Sequence, residues 1–501
     1  MKGGLIFLHI LNLHWRSFTV SRGGTPPYGL KWRSSYWFVT FVVALGCIGT
    51  DLLVYSIIIP VIPFQLEKLG YTAISVRTSW LLFSYSAGLA VSTIPVAILS
   101  ERHDTRRAPL LLGILVLIGS QIMLMEAPVY WLLCLARILQ GIGSTMVWVV
   151  GLALLCDTTP KNLIGRQLGL SMTGMSIGQV NRPPVGGALY SRFGFRGPCI
   201  FGIITAVLDF VGRLVVIERK EALYWGHDTL AVPESAEPDV FEPPVNVSSN
   251  PVLNSNEKND VMSDDPSQSS NTTNPSISLL AVILELAKSS RAITATLLTF
   301  IYAVLYTCIE PTLPLRMQAS WGFDSSKVGL VFLAAVIPTF IVTVMLMRCL
   351  LAGPVSGLIA DRYGTSWITV ISFVCSLPWW GLLIINGNLP LFIASFALSN
   401  FCLSGAISPL MAELAAVSRN IDGVGYAHVY AAFNLAYGIG AAVGPIVGGQ
   451  VYYQIKQGWM ALCLLAVGLT SLGLLLSFFF IGEETVFRIL LRCSTSRRRA
   501  K

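Results

Sequence analysis

Two short patterns recur in this chain at a separation of six apolar segments. Leu99-Ser100-Glu101-Arg102, followed by Arg106 and Arg107, comes just after the second segment, and Gly357-Leu358-Ile359-Ala360-Asp361-Arg362-Tyr363-Gly364 just after the eighth. Pro183-Pro184-Val185-Gly186-Gly187 lies in the fifth segment, and Gly444-Pro445-Ile446-Val447-Gly448-Gly449 in the eleventh. Matching motifs at that offset predict two parallel six-helix halves that rock about a central site. The fold class expected is therefore an all-α membrane protein with twelve transmembrane helices in two pseudo-symmetric halves.

Composition supports the membrane reading. Hydrophobic residues make up 54% of the chain and charged residues only 12%, against about 25% charged in soluble domains. Each crossing needs roughly 20 apolar residues, and the chain divides accordingly. Residues 1–35 read as a cytoplasmic extension, 36–217 as the first half, 218–278 as a disordered linker, 279–481 as the second half and 482–501 as a basic cytoplasmic tail. The linker is rich in Pro, Ser, Asn, Asp and Glu and cannot bury a core. Its sequons at Asn246 and Asn271 are expected to stay unused in the cytoplasm.

The net charge of +8 is concentrated in the termini and the loops on their side, as the positive-inside rule requires. Nucleic acid is not an expected partner. Arg497-Arg498-Arg499-Ala500-Lys501 faces anionic lipid and reads chiefly as a topology determinant. The ten cysteines show no metal spacing and no disulfide framework. No nucleophile elbow, zinc-protease helix or phosphate loop is present, so neither an enzyme nor a nucleotide-driven pump is expected, and no cofactor or metal. From Val328 to Ala360 the apolar run is too long for one crossing. Ile341–Leu351 reads as an insertion there, either a local irregularity or untranslated sequence.

Ionisable residues inside apolar segments are functional candidates by default, because each costs about 2.5–3.5 kcal/mol to insert. Asp51 stands in the middle of the first segment among small residues. It reads as a protonatable carboxylate or a counter-charge for a cation, with a structural hydrogen bond as the alternative. Arg137, beside Gln140 and Gly141 in the fourth segment, must find an acid, a carbonyl or water, and Asp51 is one candidate. Glu310 precedes Pro311 and Pro314, which should break the seventh helix where a cavity can form. Asp209 and Arg213 are spaced to pair on one helix face. Glu413 is placed near an inner helix end and counted among the cavity candidates.

Together these motifs resemble the major facilitator superfamily, in particular its twelve-helix drug:proton antiporter branch, over about 36–481. Gly357–Gly364 is similar to the inner-loop signature, with Asp361, Arg362 and Gly364 in place. Its first copy keeps Arg102 and Arg106 but has Glu101 for aspartate. Arg137 through Gly141 looks like the helix 4 signature linked to proton coupling. Gly444, Pro445, Gly448 and Gly449 resemble the antiporter signature, as do Pro183, Gly186 and Gly187, although Arg182 takes a glycine position. The chain looks most like fungal relatives of the vesicular amine transporters. That likeness places Ser404 and Asn434 where the amine carriers have acids and so opens the cavity to neutral or bulky cargo. It implies a monomeric, proton-coupled exporter of a small organic molecule, at the plasma membrane or the vacuole. A nutrient facilitator or symporter, an amine-like vesicular carrier and a transporter-like sensor are the alternatives.

Overall fold

The computed structural model describes residues 26–102, 106–160, 167, 171, 184–228, 288–335, 365–385, 387–418, 426–482 and 485–499. All regular structure among them is helical. The first membrane helix, α1, runs from Tyr36 to Ser56. The next three are α2 (Ile74–Arg102), α3 (Arg107–Glu126) and α4 (Tyr130–Thr158). A helical stretch at 184–193 is α5, and Arg196–Val215 is α6. In the second half come α7 (Ser290–Thr307), α8 (Ser325–Ala335) and α9 (Thr365–Leu382). They are followed by α10 (Leu389–Ser404), α11 (Tyr426–Gln454) and α12 (Gly458–Phe480), and α13 (Val486–Arg499) ends the described chain.

Ten helices among the described residues are long and apolar enough to cross a membrane. The stretch at 184–193 and the shorter helix Ser325–Ala335 occupy the two remaining expected places. The chain is a multi-pass membrane protein. Its outer surface carries exposed Ile204, Leu208, Val211, Leu472 and Leu475, a pattern that suits lipid as solvent and would be costly in water. Each half has its own core. Val39, Ile48, Ile114, Leu117, Val150 and Leu155 fill one; Leu298, Phe373, Trp380, Phe392 and Leu462 fill the other.

With an even number of crossings, α1 begins and α12 ends on the same side, here the termini end; the other is the distal end. The halves meet where α2 packs on α11. The paired glycine motifs explain how. Gly186 of α5 faces the backbone of Ile57 beyond α1, and Gly187 faces Ser325 at the start of α8. Gly448 of α11 faces Cys308 beyond α7, and Gly449 faces Ser75 and Ser79 of α2. The first glycine of each pair thus packs within its own half and the second packs across to the other. Matching hydrogen bonds run from Ser325 Oγ to the Gly187 carbonyl (3.3 Å) and from Ser75 Oγ to the Gly449 carbonyl (3.2 Å). The Gln318 amide also donates across to Glu67, at 3.0 Å. In the described residues the distal end is closed.

Several expectations refine on inspection. Residues 219–224, assigned to the linker, form a short helix, and Glu218 accepts from the backbone N–H of Arg107. The basic tail is helical from Val486 to Arg499. The helix break expected at Pro311 and Pro314 occurs: α7 stops at Thr307, and a new helix begins at Leu313. The 341–351 segment, both sequons, Arg182, Pro183, Asp361, Arg362 and Gly364 lie outside the described residues.

Candidate functional site

The middle of α1 is not an ordinary helix. Val42–Thr50 is wound as a π-helix, and α-helical geometry resumes at Asp51. π-Helical turns are uncommon and concentrate at functional sites. Here the extra residue per turn resets the register at which Asp51 faces its neighbours. Gly46, within that stretch, lets the Asp209 carboxylate of α6 lie against the α1 backbone where any side chain would collide. Asp209 is held there by Arg213, at 2.7 Å, with both side chains almost fully buried.

Asp51 is 1% exposed. Its Oδ2 accepts hydrogen bonds from Ser144 Oγ (2.7 Å) and Trp148 Nε1 (2.9 Å), both on α4. Ser144 in turn accepts from the Tyr85 hydroxyl of α2 at 2.9 Å. The Tyr85 ring lies 4.3 Å from the ring of Tyr55, one helical turn along α1 from Asp51. The Tyr55 hydroxyl then donates to Glu310 Oε2 at 2.9 Å, joining the first half to the second.

Arg137 is fully buried on α4. Its Nη1 donates to Gln140 Oε1 (2.9 Å) and to the Tyr55 carbonyl (3.3 Å), and its guanidinium lies 5.7 Å from the Tyr55 ring centre. Asp51 is thus bonded to Ser144 and Trp148, and Arg137 to Gln140 and the Tyr55 carbonyl, with the Tyr55 and Tyr85 rings packed beside them. An aspartate, an arginine and a glutamate all buried here would be very costly in hydrocarbon, but each is hydrogen-bonded or ring-packed. Gly141 packs against the Tyr85 and Leu89 backbone, so α4 and α2 stay in close contact beside this network.

Further rings line α7 ahead of Glu310. Tyr302 stacks on Tyr306 at 6.3 Å and approaches Tyr437 of α11 at 6.4 Å. Asn434 is half-buried on α11, one turn before Tyr437. Ser404, at the end of α10, donates to the Phe401 carbonyl at 2.8 Å.

Glu413 has a different setting from the cavity expected of it. It accepts from Arg291 (2.8 Å), from the Thr365 hydroxyl (2.7 Å) and from the Gly482 N–H (3.0 Å). Those partners belong to the termini-end tips of α7 and α9 and the turn after α12, so its carboxylate ties helix ends together. At the same end of the first half, Glu101 and Arg102 close α2, and Arg106 pairs with Asp157 of α4 at 3.0 Å.

Comparison with known proteins places this architecture. The Major Facilitator Superfamily model matches residues 44–238 and 295–488. The chain belongs to that superfamily. The MFS-type transporter ppzB of Metarhizium rileyi is 25% identical over 483 residues, covering 91% of this chain and 97% of the relative. The MFS-type transporter SLC18B1 of Mus musculus is 24% identical, covering 91% and 86%. The Drosophila melanogaster vesicular acetylcholine transporter is 24% identical over 76% of this chain and 54% of its own length. Among solved structures, the human organic anion transporter MFSD10 superposes with a TM-score of 0.58 at 16% identity, covering 88% of this chain and 99% of its own. The nucleoside transporter NupG gives 0.56 at 13%, covering 88% and 98%. These structural likenesses establish the superfamily fold of two six-helix halves.

Sequence reasoning singled out Asp51, Arg137, Gln140 and Glu310 but passed over Tyr55, Tyr85, Ser144 and Trp148. A signal for three of them was present. Arg137, Gln140, Gly141, Ser144 and Trp148 fall at helical spacing along one stripe of α4, and polar residues aligned that way in a membrane helix face a common interior. Tyr55 lies four residues after Asp51 and shares its face by the same rule.

Proposed function

We propose that this chain is a secondary transporter that exports a small organic molecule in exchange for protons, by alternating access. The observation that carries the reading is the buried network joining Asp51, Ser144, Tyr85, Tyr55 and Glu310 across the junction of the halves. A carboxylate held at such a junction can take up or release a proton as the halves part, because pairing and solvation set its affinity for the proton. Asp51 is the proton-exchanging group, Arg137 sets the field at Tyr55, and Glu310 reports closure from the second half. The distal end faces away from the cytoplasm, as the positive charge at the termini end favours. Cargo binds between the halves, near Asn434 and the tyrosines.

A second reading, an amine-like carrier, is favoured by one feature. Tyr55 bonds the Glu310 carboxylate and packs on Tyr85, while Tyr302, Tyr306 and Tyr437 cluster on α7 and α11 nearby, and aromatic faces near a carboxylate suit an organic cation. Relatives named as vesicular acetylcholine and chromaffin granule amine transporters lend it support.

Flux in sealed vesicles under an imposed pH gradient tests both, with a panel of cationic amines and neutral organic compounds. Exchange driven by the gradient and abolished by Asp51→Asn, in protein that still inserts and folds, is the expected result. Gradient-driven flux that survives Asp51→Asn refutes the assignment of Asp51. Transport restricted to cations selects the second reading.

A further inference from the structure

The chain after α12 does not trail away. Ile481 is fully buried, and Gly482 turns the backbone with φ 92°, its N–H bonded to Glu413. Because Glu413 is also held by Arg291 and Thr365, this turn is fixed to the termini-end tips of α7 and α9. α13 then begins with Val486 buried and Phe487 against the rings of Phe479 (5.2 Å) and Phe478 (6.1 Å) at the foot of α12. The start of α13 is thus fixed at the level where α12 leaves the membrane.

Beyond that first contact the helix has two unlike stripes. Phe487, Leu490 and Leu491 follow helical spacing and are 40%, 47% and 49% exposed. Arg488 and Arg492, one turn apart, lie on a different face by the same spacing. From Val486 to Lys501 there are six cations and no acid; Glu483 and Glu484 stop short of the helix. An apolar stripe with Arg488 and Arg492 on another face and no acid along the helix, at the membrane surface, matches a helix that lies in the interface of an anionic leaflet. Water alone would leave Phe487 and Leu490 exposed, and a run of six cations with no acid is matched by anionic lipid.

We propose that α13 is an interfacial helix that docks on anionic phospholipid at the termini end, with Phe487, Leu490 and Leu491 in the acyl boundary and the arginines on phosphate groups. This extends the basic tail from a topology determinant to a lipid-binding surface. It does not depend on what the protein carries.

The test is hydrogen–deuterium exchange on the full chain in nanodiscs of phosphatidylcholine alone or mixed with phosphatidylglycerol. Amides of 486–499 should exchange about tenfold more slowly in the anionic discs, with the protection lost at high salt. Arg488→Gln/Arg492→Gln should remove most of that protection while the amides of α12 stay unchanged. Leu490→Ser/Leu491→Ser should do the same through the apolar stripe. Equal exchange in the two lipids overturns the proposal, whether slow (the helix is held by protein) or fast (it is not docked). Protection that survives the leucine substitutions overturns burial of the apolar stripe.

Discussion

Replacing Gly449 by alanine puts a methyl group where the closed distal end has no space for one. An ideal Cβ there would lie 2.7 Å from the Ser75 carbonyl and overlap the Ser79 hydroxyl. The Ser79 side chain can rotate away, but the Ser75 carbonyl belongs to the backbone of α2, so α2 and α11 must separate. Forced overpacking of this kind typically costs about 1–3 kcal/mol. The cost falls only on the closed arrangement, because the contact joins the two halves and is lost when they part. A penalty of that size, at about 1.4 kcal/mol per factor of ten, shifts the closed-to-open ratio by about 5- to 150-fold. Spin labels at Lys68 and Ala319, both exposed at the distal end, would report the separation by pulsed electron resonance. Gly449→Ala should add a longer distance absent from wild type, with little loss of thermal stability, because opening relieves the clash. Gly468→Ala, whose Cβ meets nothing within 4 Å, is the control. A lowered melting temperature with an unchanged distance distribution would refute the reasoning, since the clash would then persist inside a single closed conformer.

Tyr55→Phe removes the hydroxyl that bonds Glu310 and leaves the ring beside Tyr85 and Arg137. A hydrogen bond to a charged group contributes about 1.5–3 kcal/mol, so the same spin-label pair should show the closed-to-open ratio falling by about tenfold or more; an unchanged ratio would take this bond out of distal closure. Asp209 and Arg213, about 2% and 3% exposed, form a pair that is costly to break singly. Asp209→Ala should lower stability by about 3–5 kcal/mol, and Asp209→Leu/Arg213→Met should recover most of it, as read from thermal unfolding in detergent. A loss in the double variant equal to the sum of the single losses would show that the two side chains contribute independently.

The scaffold was legible because its signals are long and repeated. Apolar runs, the six-segment offset and the prolines after Glu310 each act through simple geometry, and the glycine pairs occur in both halves. The site was legible only in its charges. Asp51, Arg137 and Glu310 stand out because charge inside an apolar segment is costly, and Glu413 stood out for the same reason although it ties helix ends together. Tyrosines and serines carry no such warning. Ser84, Thr40 and Thr93 each donate to a carbonyl of their own helix, and only tertiary placement distinguishes them from Ser144. The π-helical stretch before Asp51 left no mark beyond its two glycines, since five-residue winding depends on what packs around it.

The arrangement of acids bears on how coupling can work. Asp51 accepts from Ser144 and Trp148, both on α4 of its own half. Glu310 takes the Tyr55 hydroxyl from the opposite half. When the halves part at the distal end, the surroundings of Asp51 travel with it, whereas Glu310 must exchange Tyr55 for water or cargo. In the proposed mechanism Glu310 therefore loses a direct bond on opening, and Asp51 is reached indirectly. Tyr85 and Tyr55 link them, because Tyr85 holds Ser144 while its ring rests on Tyr55. Movement of Tyr55 away from Glu310 would disturb that ring contact, and through Tyr85 and Ser144 the donor set of Asp51. A change at the junction can in this way reach a carboxylate that does not itself cross it.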